Sequence, residues 1–210
     1  MADQRMGNLL SWSIANSAEA NPDGVNASQA VENAPRGLNE DVLRSLMGGP
    51  SDADIMKESM SVILHPEAEL EAKLIAFDNL EQLVENIDNA NNLAPLGLWP
   101  PLISQLEHTE AQIRTLAAWC VGTAVQNNEK CQQRALQEGV VPKICTLAVH
   151  DEDKAMRRKA VYALSSLVRN YQPGMDEALK SLPKEYTGPD HVNASDMDVV
   201  DAIMAKLRDQ

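Results

Sequence analysis

The clearest pattern along the chain is an apolar stripe on helical spacing that recurs. The segment IRTLAAWCVGTAVQNN (residues 113–128) aligns, at a shift of 43 residues, with MRRKAVYALSSLVRNY (156–171). A weaker copy, LIAFDNLEQLVEN, lies 41 residues earlier. Ala117, Val121 and Ala124 form the stripe that the spacing predicts to be buried. A helical period of about 40–47 residues is typical of armadillo and HEAT repeats, because such helices bury their apolar faces against neighbouring repeats.

A glycine and proline marker precedes two of these copies. GLWPPL (97–102) matches GVVPKI (139–144) at a shift of 42 residues. Glycine can end one helix in the left-handed conformation, and proline can open the next. Two unrelated amphipathic helices could share alanine and leucine by composition alone, but the nearly constant shift favours a repeat. The sequence therefore predicts an all-α, armadillo- or HEAT-like, right-handed superhelical solenoid with capping helices.

Breaks in the apolar pattern predict where the parts of the chain begin and end. The predicted parts are an N-terminal apolar segment (1–15), a flexible linker (16–38), the repeat domain (39–184), a second linker (185–194) and a C-terminal helix (195–210). Within the repeat domain we expect helices at 39–47, from Ser51 to the stop at His65-Pro66, and from 67 to about 89, with the repeat pair over 98–180. Ser195 is the predicted cap of the last helix.

The composition of the chain disfavours several classes of function but does not identify one. The formal net charge of −13 disfavours binding to nucleic acid or to an anionic membrane. Aromatic residues are only 3% of the chain, which favours helix-on-helix packing over a sheet. Three cysteines, an odd number without metal-ligand spacing, indicate buried thiols in a reducing compartment. With no secretory signal and no membrane span in the pattern, we expect a cytoplasmic monomer.

The motifs of common enzymes are missing from the sequence. There is no glycine-rich phosphate loop, zincin motif or paired-cysteine motif, and the four histidines are scattered. We therefore expect no catalytic residue, no metal site and no cofactor. An enzyme of an unrecognised type remains an alternative.

The repeated third helices also carry polar and aromatic residues beside the buried stripe. Trp, Tyr and Arg dominate binding hot spots, and their recurrence at one repeat position predicts a continuous concave binding face. A basic stretch within 154–169 would suit an acidic partner surface. Alternatively, the tryptophan and tyrosine merely pack on each other. The predicted partner-binding residues are Asp78, Gln82, Trp119, Thr123, Gln126, Arg158, Tyr162, Ser166 and Arg169.

Several strings resemble one known family. LAAWCVGTAVQNN, KAVYALSSLVRNY and the opening LLSWSIANS closely resemble the fungal Fes-type nucleotide exchange factors. These are armadillo-like cofactors of the cytosolic seventy-kilodalton heat-shock chaperone, related to the animal HspBP proteins. MKESMSVI and the closing DMDVVDAIMAKLRD are also similar to that family, so the resemblance spans nearly the whole chain. Residues 171–189 depart from it, since they carry no further repeat marker, and nothing carries over to the linker.

The resemblance implies a protein that grips the ATPase domain of the chaperone and promotes ADP release, in support of protein folding and the regulation of translation. It also implies that the N-terminal segment, Leu9, Leu10, Trp12 and Ile14, helps to unload polypeptide substrate. From the residues alone, that segment docks either on its own domain or on a partner. A peptide or cargo adaptor without exchange activity is the rival reading, and Thr123 and Ser166 count against it because they stand where its asparagine ladder would be.

Overall fold

The structure, a computed structural model, describes residues 49–188 and 191–209. Within these ranges the chain forms helices and no strand, so the all-α prediction is confirmed. A short 3-10 helix, Gln105–Glu107, directly follows the α-helix that ends at Ser104. The α-helices are α1 (Asp52–Leu64), α2 (Leu70–Val84), α3 (Ile87–Asn92), α4 (Trp99–Ser104), α5 (Ala111–Val125), α6 (Glu129–Gln137), α7 (Val140–His150), α8 (Lys154–Val168), α9 (Gln172–Ser181), α10 (Lys184–Thr187) and α11 (Met197–Arg208).

Helices α3–α5 and α6–α8 form two consecutive three-helix repeats. Gly97 and Gly139 take positive φ angles of 68° and 70° between the first and second helix of each repeat, so the predicted glycine marker is confirmed. The third helix of each repeat ends at another matched pair, Asn127 (φ 52°) and Asn170 (φ 55°). Asparagine adopts this left-handed conformation more readily than most residues, which allows the chain to turn sharply into the next repeat.

The third helices are packed side by side. Helix α5 packs against α2 on one side and α8 on the other, and α11 packs against α8 in turn. The predicted stripe on α5 is buried, with Ala117, Val121 and Ala124 no more than 1% exposed. Because these side chains are small, α5 can approach both neighbours closely. The order α2–α5–α8–α11 brings the polar edges of the third helices into one surface.

An ion pair joins the first turn of α5 to the loop that precedes α8. Arg114 donates two hydrogen bonds to the carboxylate of Asp151, of 2.8 and 2.9 Å, and two more to the carbonyl oxygens of His108 and Thr109. In the next repeat Arg157 donates in the same way to the carbonyl oxygens of Asp151 and Glu152. Arginine at this repeat position therefore fixes the entry of each third helix.

Two local predictions are wrong. The helix expected over 67–89 is two helices, because the side chain of Asn86 accepts a hydrogen bond from the backbone N–H of Asp88 and caps a new one. The last helix is capped by Asp196, whose carboxylate accepts from the N–H of Val199, and Ser195 lies just before it. The predictions made for residues 1–48, including the apolar segment, the linker and the helix over 39–47, lie outside the described residues.

Candidate functional site

A row of polar contacts runs across three neighbouring helices, namely α2 and the third helices α5 and α8 of the two repeats. On α2, the buried carboxylate of Glu81 accepts a hydrogen bond of 2.8 Å from the hydroxyl of Thr123 on α5. The hydroxyl of Tyr162 on α8 lies 3.4 Å from that of Thr123 and donates to Oε1 of Gln126 at 3.3 Å. We call the surface formed by Asp78, Gln82, Trp119, Thr123, Gln126, Arg158, Lys159 and Tyr162 the third-helix surface.

Lys159 lies against two aromatic rings in the middle of this surface. Its ammonium group is 3.7 Å from the centroid of the Trp119 ring and 5.5 Å from that of Tyr162. Cation–π contacts of this kind contribute about 0.5–2 kcal/mol, more when they are desolvated. Burial lowers the pKa of Lys159, and the negative charge of Glu81 opposes that shift. The rings are thus held beside a cation rather than only against each other.

The position of Tyr162 depends on a glycine of the neighbouring helix. A Cβ atom on Gly122 would lie 2.6 Å from Cε1 of Tyr162 and 3.0 Å from the Cα of Ala163. Such distances are below van der Waals contact, so the tyrosine ring fills the space that a side chain at position 122 would need. The glycine therefore permits the close approach of α5 and α8 that brings the tyrosine hydroxyl to Thr123.

Beyond Tyr162 the surface continues into a cleft of about 280 Å³ between α8 and α11. Arg169 is one of its lining residues. Its Nε donates to the hydroxyl of Ser165 at 2.7 Å, its Nη1 lies 3.2 Å from the sulfur of Met197, and its Nη2 pairs with Asp201. The walls of the cleft, which we call the arginine cleft, are Arg158, Val161, Tyr162, Ser165 and Arg169 from α8 and its cap, with Asp201, Met204 and Arg208 from α11.

The structure brings most of the predicted binding residues together, with differences at two. Ser166 is only 7% exposed, because α8 turns this position towards the rest of the protein, and it offers little surface to a partner. Arg169 is directed towards α11 and not to open surface. Asp78 and Gln82 are exposed on α2, where the amide of Gln82 donates to Asp78 at 2.9 Å.

Sequence reasoning missed three residues of this surface. Glu81 stands on the buried side of α2, one helical turn after Phe77, and a carboxylate within an apolar stripe is the signal that marks it. The sequence marks Lys159 only as part of the basic stretch within residues 154–169. Arg208 had no signal in the sequence, because only the packing of α11 on α8 brings it to the cleft.

Neither catalysis nor metal binding is indicated by the described residues. No group of three or more His, Cys, Asp or Glu side chains among them could hold a metal ion. The three thiols are free and buried, and burial raises the pKa of Cys131 to about 11 and that of Cys145 to about 12. No helix in the described part is long and apolar enough to cross a membrane.

Comparisons with known proteins match the whole length of the chain. A family model described as nucleotide exchange factor Fes1 matches residues 6–93, and one described as the SIL1/FES1/HPBP1 C-terminal domain matches residues 89–181. A protein of Coccidioides immitis (strain RS) named Hsp70 nucleotide exchange factor FES1 is 51% identical over 208 residues, which are 99% of this chain and 98% of the relative. Its namesake from Gibberella zeae is 52% identical over 214 residues, covering 100% and 98%.

A solved structure supports the fold independently. The crystal structure of an engineered protein superposes with a TM-score of 0.51 at 15% sequence identity, over 80% of this chain and 71% of that chain. At so low an identity the likeness concerns the helical architecture alone.

Proposed function

This chain belongs to the family of nucleotide exchange factor Fes1, and we propose on that basis that it binds an Hsp70 chaperone and promotes the release of ADP from it. The observation that carries the proposal is similarity to proteins named Hsp70 nucleotide exchange factor over nearly the full length of both chains. We further propose that the third-helix surface grips the ATPase domain of the chaperone, and that the protein acts as a monomer without catalysis of its own.

The composition of the third-helix surface supports this assignment. Trp119, Tyr162 and Arg158 belong to the residue types that dominate binding energy at interfaces. Thr123 and Gln126 hold the hydroxyl of Tyr162 and Glu81 holds that of Thr123, so the tyrosine would lose little conformational freedom on binding. The basic groups of this surface stand out in a chain of net charge −13, which favours an acidic partner surface.

Exchange activity has a thermodynamic consequence. A protein that lowers the affinity of the chaperone for nucleotide must itself be bound less tightly when nucleotide is present, by the same factor. Typical couplings of about 1–3 kcal/mol correspond to roughly 5- to 150-fold. ADP is therefore expected to displace this protein from Hsp70 to that extent. Equal affinities with and without ADP, measured by calorimetric titration, would contradict exchange and leave the adaptor function as the alternative.

The surface itself is tested with Trp119→Ala. We expect this variant to bind the nucleotide-free ATPase domain about 30-fold less tightly, as is usual for a hot-spot tryptophan, and to accelerate release of labelled ADP correspondingly less. Gln133→Ala is the matched control, because Gln133 is exposed on α6 and lies outside the third-helix surface. If both variants bind equally tightly and their circular dichroism is unchanged, the contact with the chaperone must lie on another face of the protein.

Two further roles are proposed with the same function. The free thiols Cys120, Cys131 and Cys145 are consistent with action in a reducing compartment, which we propose to be the cytoplasm. The N-terminal segment with Leu9, Leu10, Trp12 and Ile14 is proposed to help unload substrate, and such unloading would support protein folding and translation. Deleting residues 1–38 should leave ADP release intact and slow the release of a labelled client peptide.

A further inference from the structure

The C-terminal helix α11 contributes no residue to the third-helix surface. The matched family segments end at residue 181, and α11 begins at Met197. The helix is nevertheless held firmly against the repeat domain. Val200, Ile203 and Leu207 are no more than 3% exposed, and the backbone N–H of Asn170 donates to the carbonyl of Ala194 just before the helix, at 2.9 Å. Helix α11 is therefore packed as a fixed part of the folded domain.

The direction of α11 determines which charges meet in the arginine cleft. Arg169, at the end of α8, contacts Met197 and Asp201 near the start of α11. Arg158 lies in the first half of α8, and Arg208 is the last residue of α11, yet both line the same cleft. The two helices therefore run in opposite directions along the cleft, and these two arginines converge towards the end that Asp201 does not occupy.

This end of the cleft carries positive charge that no acidic side chain of residues 49–188 and 191–209 pairs with. Arg169 is neutralised by Asp201, whereas neither Arg158 nor Arg208 takes part in an ion pair within the described part of the chain. Arg208 donates only to the carbonyl of Met204 in its own helix, at 3.2 Å. Asp209, the next acid along the chain, is exposed and pairs with neither arginine. Two guanidinium groups in one cleft repel each other, and a carboxylate between them would relieve that repulsion.

We infer that the arginine cleft is a carboxylate-binding subsite and that α11 completes the partner-binding surface through it. The occupant is an acidic side chain on the surface of the bound Hsp70, held by Arg158 from one wall and Arg208 from the other. Arg169 is a positioning residue that fixes α11 through Asp201. The inference rests on the proposed function, since Hsp70 is the partner that supplies the carboxylate.

Charge reversal on α11 tests the subsite in the full chain. We expect Arg208→Glu to raise the Kd for nucleotide-free Hsp70 about tenfold or more, because it places a like charge against the incoming carboxylate. Lys206→Glu is the matched control. It makes the same charge change in the same last turn, but two residues rotate an α-helix by about 200°, and Lys206 does not line the cleft. Its effect should stay below about threefold, as for an exposed charge at the rim of an interface.

A second variant shows whether both arginines act on one group. If Arg158 and Arg208 hold the same carboxylate, Arg158→Glu with Arg208→Glu should weaken binding by less than the product of the single effects. Equal losses in Arg208→Glu and Lys206→Glu, or no loss in either, would overturn the subsite.

The proposed function is judged separately, from the release of labelled ADP by the wild-type protein. If the wild-type protein accelerates ADP release but Arg208→Glu leaves the Kd unchanged, the subsite is refuted and the proposed function is retained. If binding to Hsp70 depends on Arg208 but the wild-type protein does not accelerate ADP release, the subsite is retained and exchange activity is refuted.

Discussion

Replacing Gly122 by alanine tests whether the close approach of α5 and α8 positions the binding surface. The added Cβ would lie 2.6 Å from Cε1 of Tyr162, so the ring must move, and 3.0 Å from the Cα of Ala163, so the backbone of α8 must yield as well. Overpacking of this kind typically costs about 1–3 kcal/mol. Alanine favours a helix over glycine by about 1 kcal/mol, which offsets part of that cost.

The net expectation for Gly122→Ala is a loss of about 0–2 kcal/mol in the free energy of unfolding, that is, the overpacking cost of about 1–3 kcal/mol less the gain of about 1 kcal/mol in helix propensity. Urea denaturation followed by circular dichroism measures it. Binding to Hsp70 should weaken as well, because a displaced ring loses the contacts of its hydroxyl with Thr123 and Gln126.

The control is the same substitution in a Tyr162→Ala background. With the ring removed, most of the clash disappears, and Gly122→Ala should become neutral or stabilising by up to about 1 kcal/mol. The two changes are therefore coupled in a double-mutant cycle by about 1–3 kcal/mol. If Gly122→Ala is stabilising in the presence of Tyr162, or if the cycle shows no coupling, the close approach does not constrain the ring and the reasoning fails.

Two other predictions concern groups outside the binding surface. Burial alone would raise the pKa of Asp151, but the hydrogen bonds from Arg114 lower it below its usual value of 3.8. The ion pair therefore stabilises the fold above pH 3.8, and this stabilisation is lost as the pH falls through the lowered pKa. Asp151→Asn should cost about 1.5–3 kcal/mol in urea denaturation at pH 7, as is typical of hydrogen bonds to a charged group, and progressively less below pH 4. A pH-independent difference would contradict this. In the native protein a thiol reagent at pH 8 should modify Cys120, Cys131 and Cys145 only very slowly, because burial raises the pKa values of their thiols. The same reagent should modify all three cysteines in urea. Rapid labelling of the native protein would contradict the expectation and show that the repeats open locally.

The repeat could be predicted from local chemistry. Glycine and asparagine stand where the backbone takes positive φ angles, at Gly97, Gly139, Asn127 and Asn170, and few other residues tolerate that conformation. The spacing of Ala117, Val121 and Ala124 identified the buried side of α5, because a helix has a fixed angular period. The break at Asn86 was missed, since its neighbours continue an apolar pattern that a single long helix would also satisfy.

The sequence by itself determined the helical repeat, the buried stripe and the residue types along the third helices, because helix period and turn conformation depend on residues close together in the chain. Only the tertiary structure decided which polar groups meet. It paired Glu81 of α2 with Thr123 of α5, buried Ser166, and directed Arg169 to Asp201. These contacts depend on how each helix is rotated against its neighbour, and that rotation is fixed by side chains some forty residues apart, where the repeat period of about 40–47 residues brings them together.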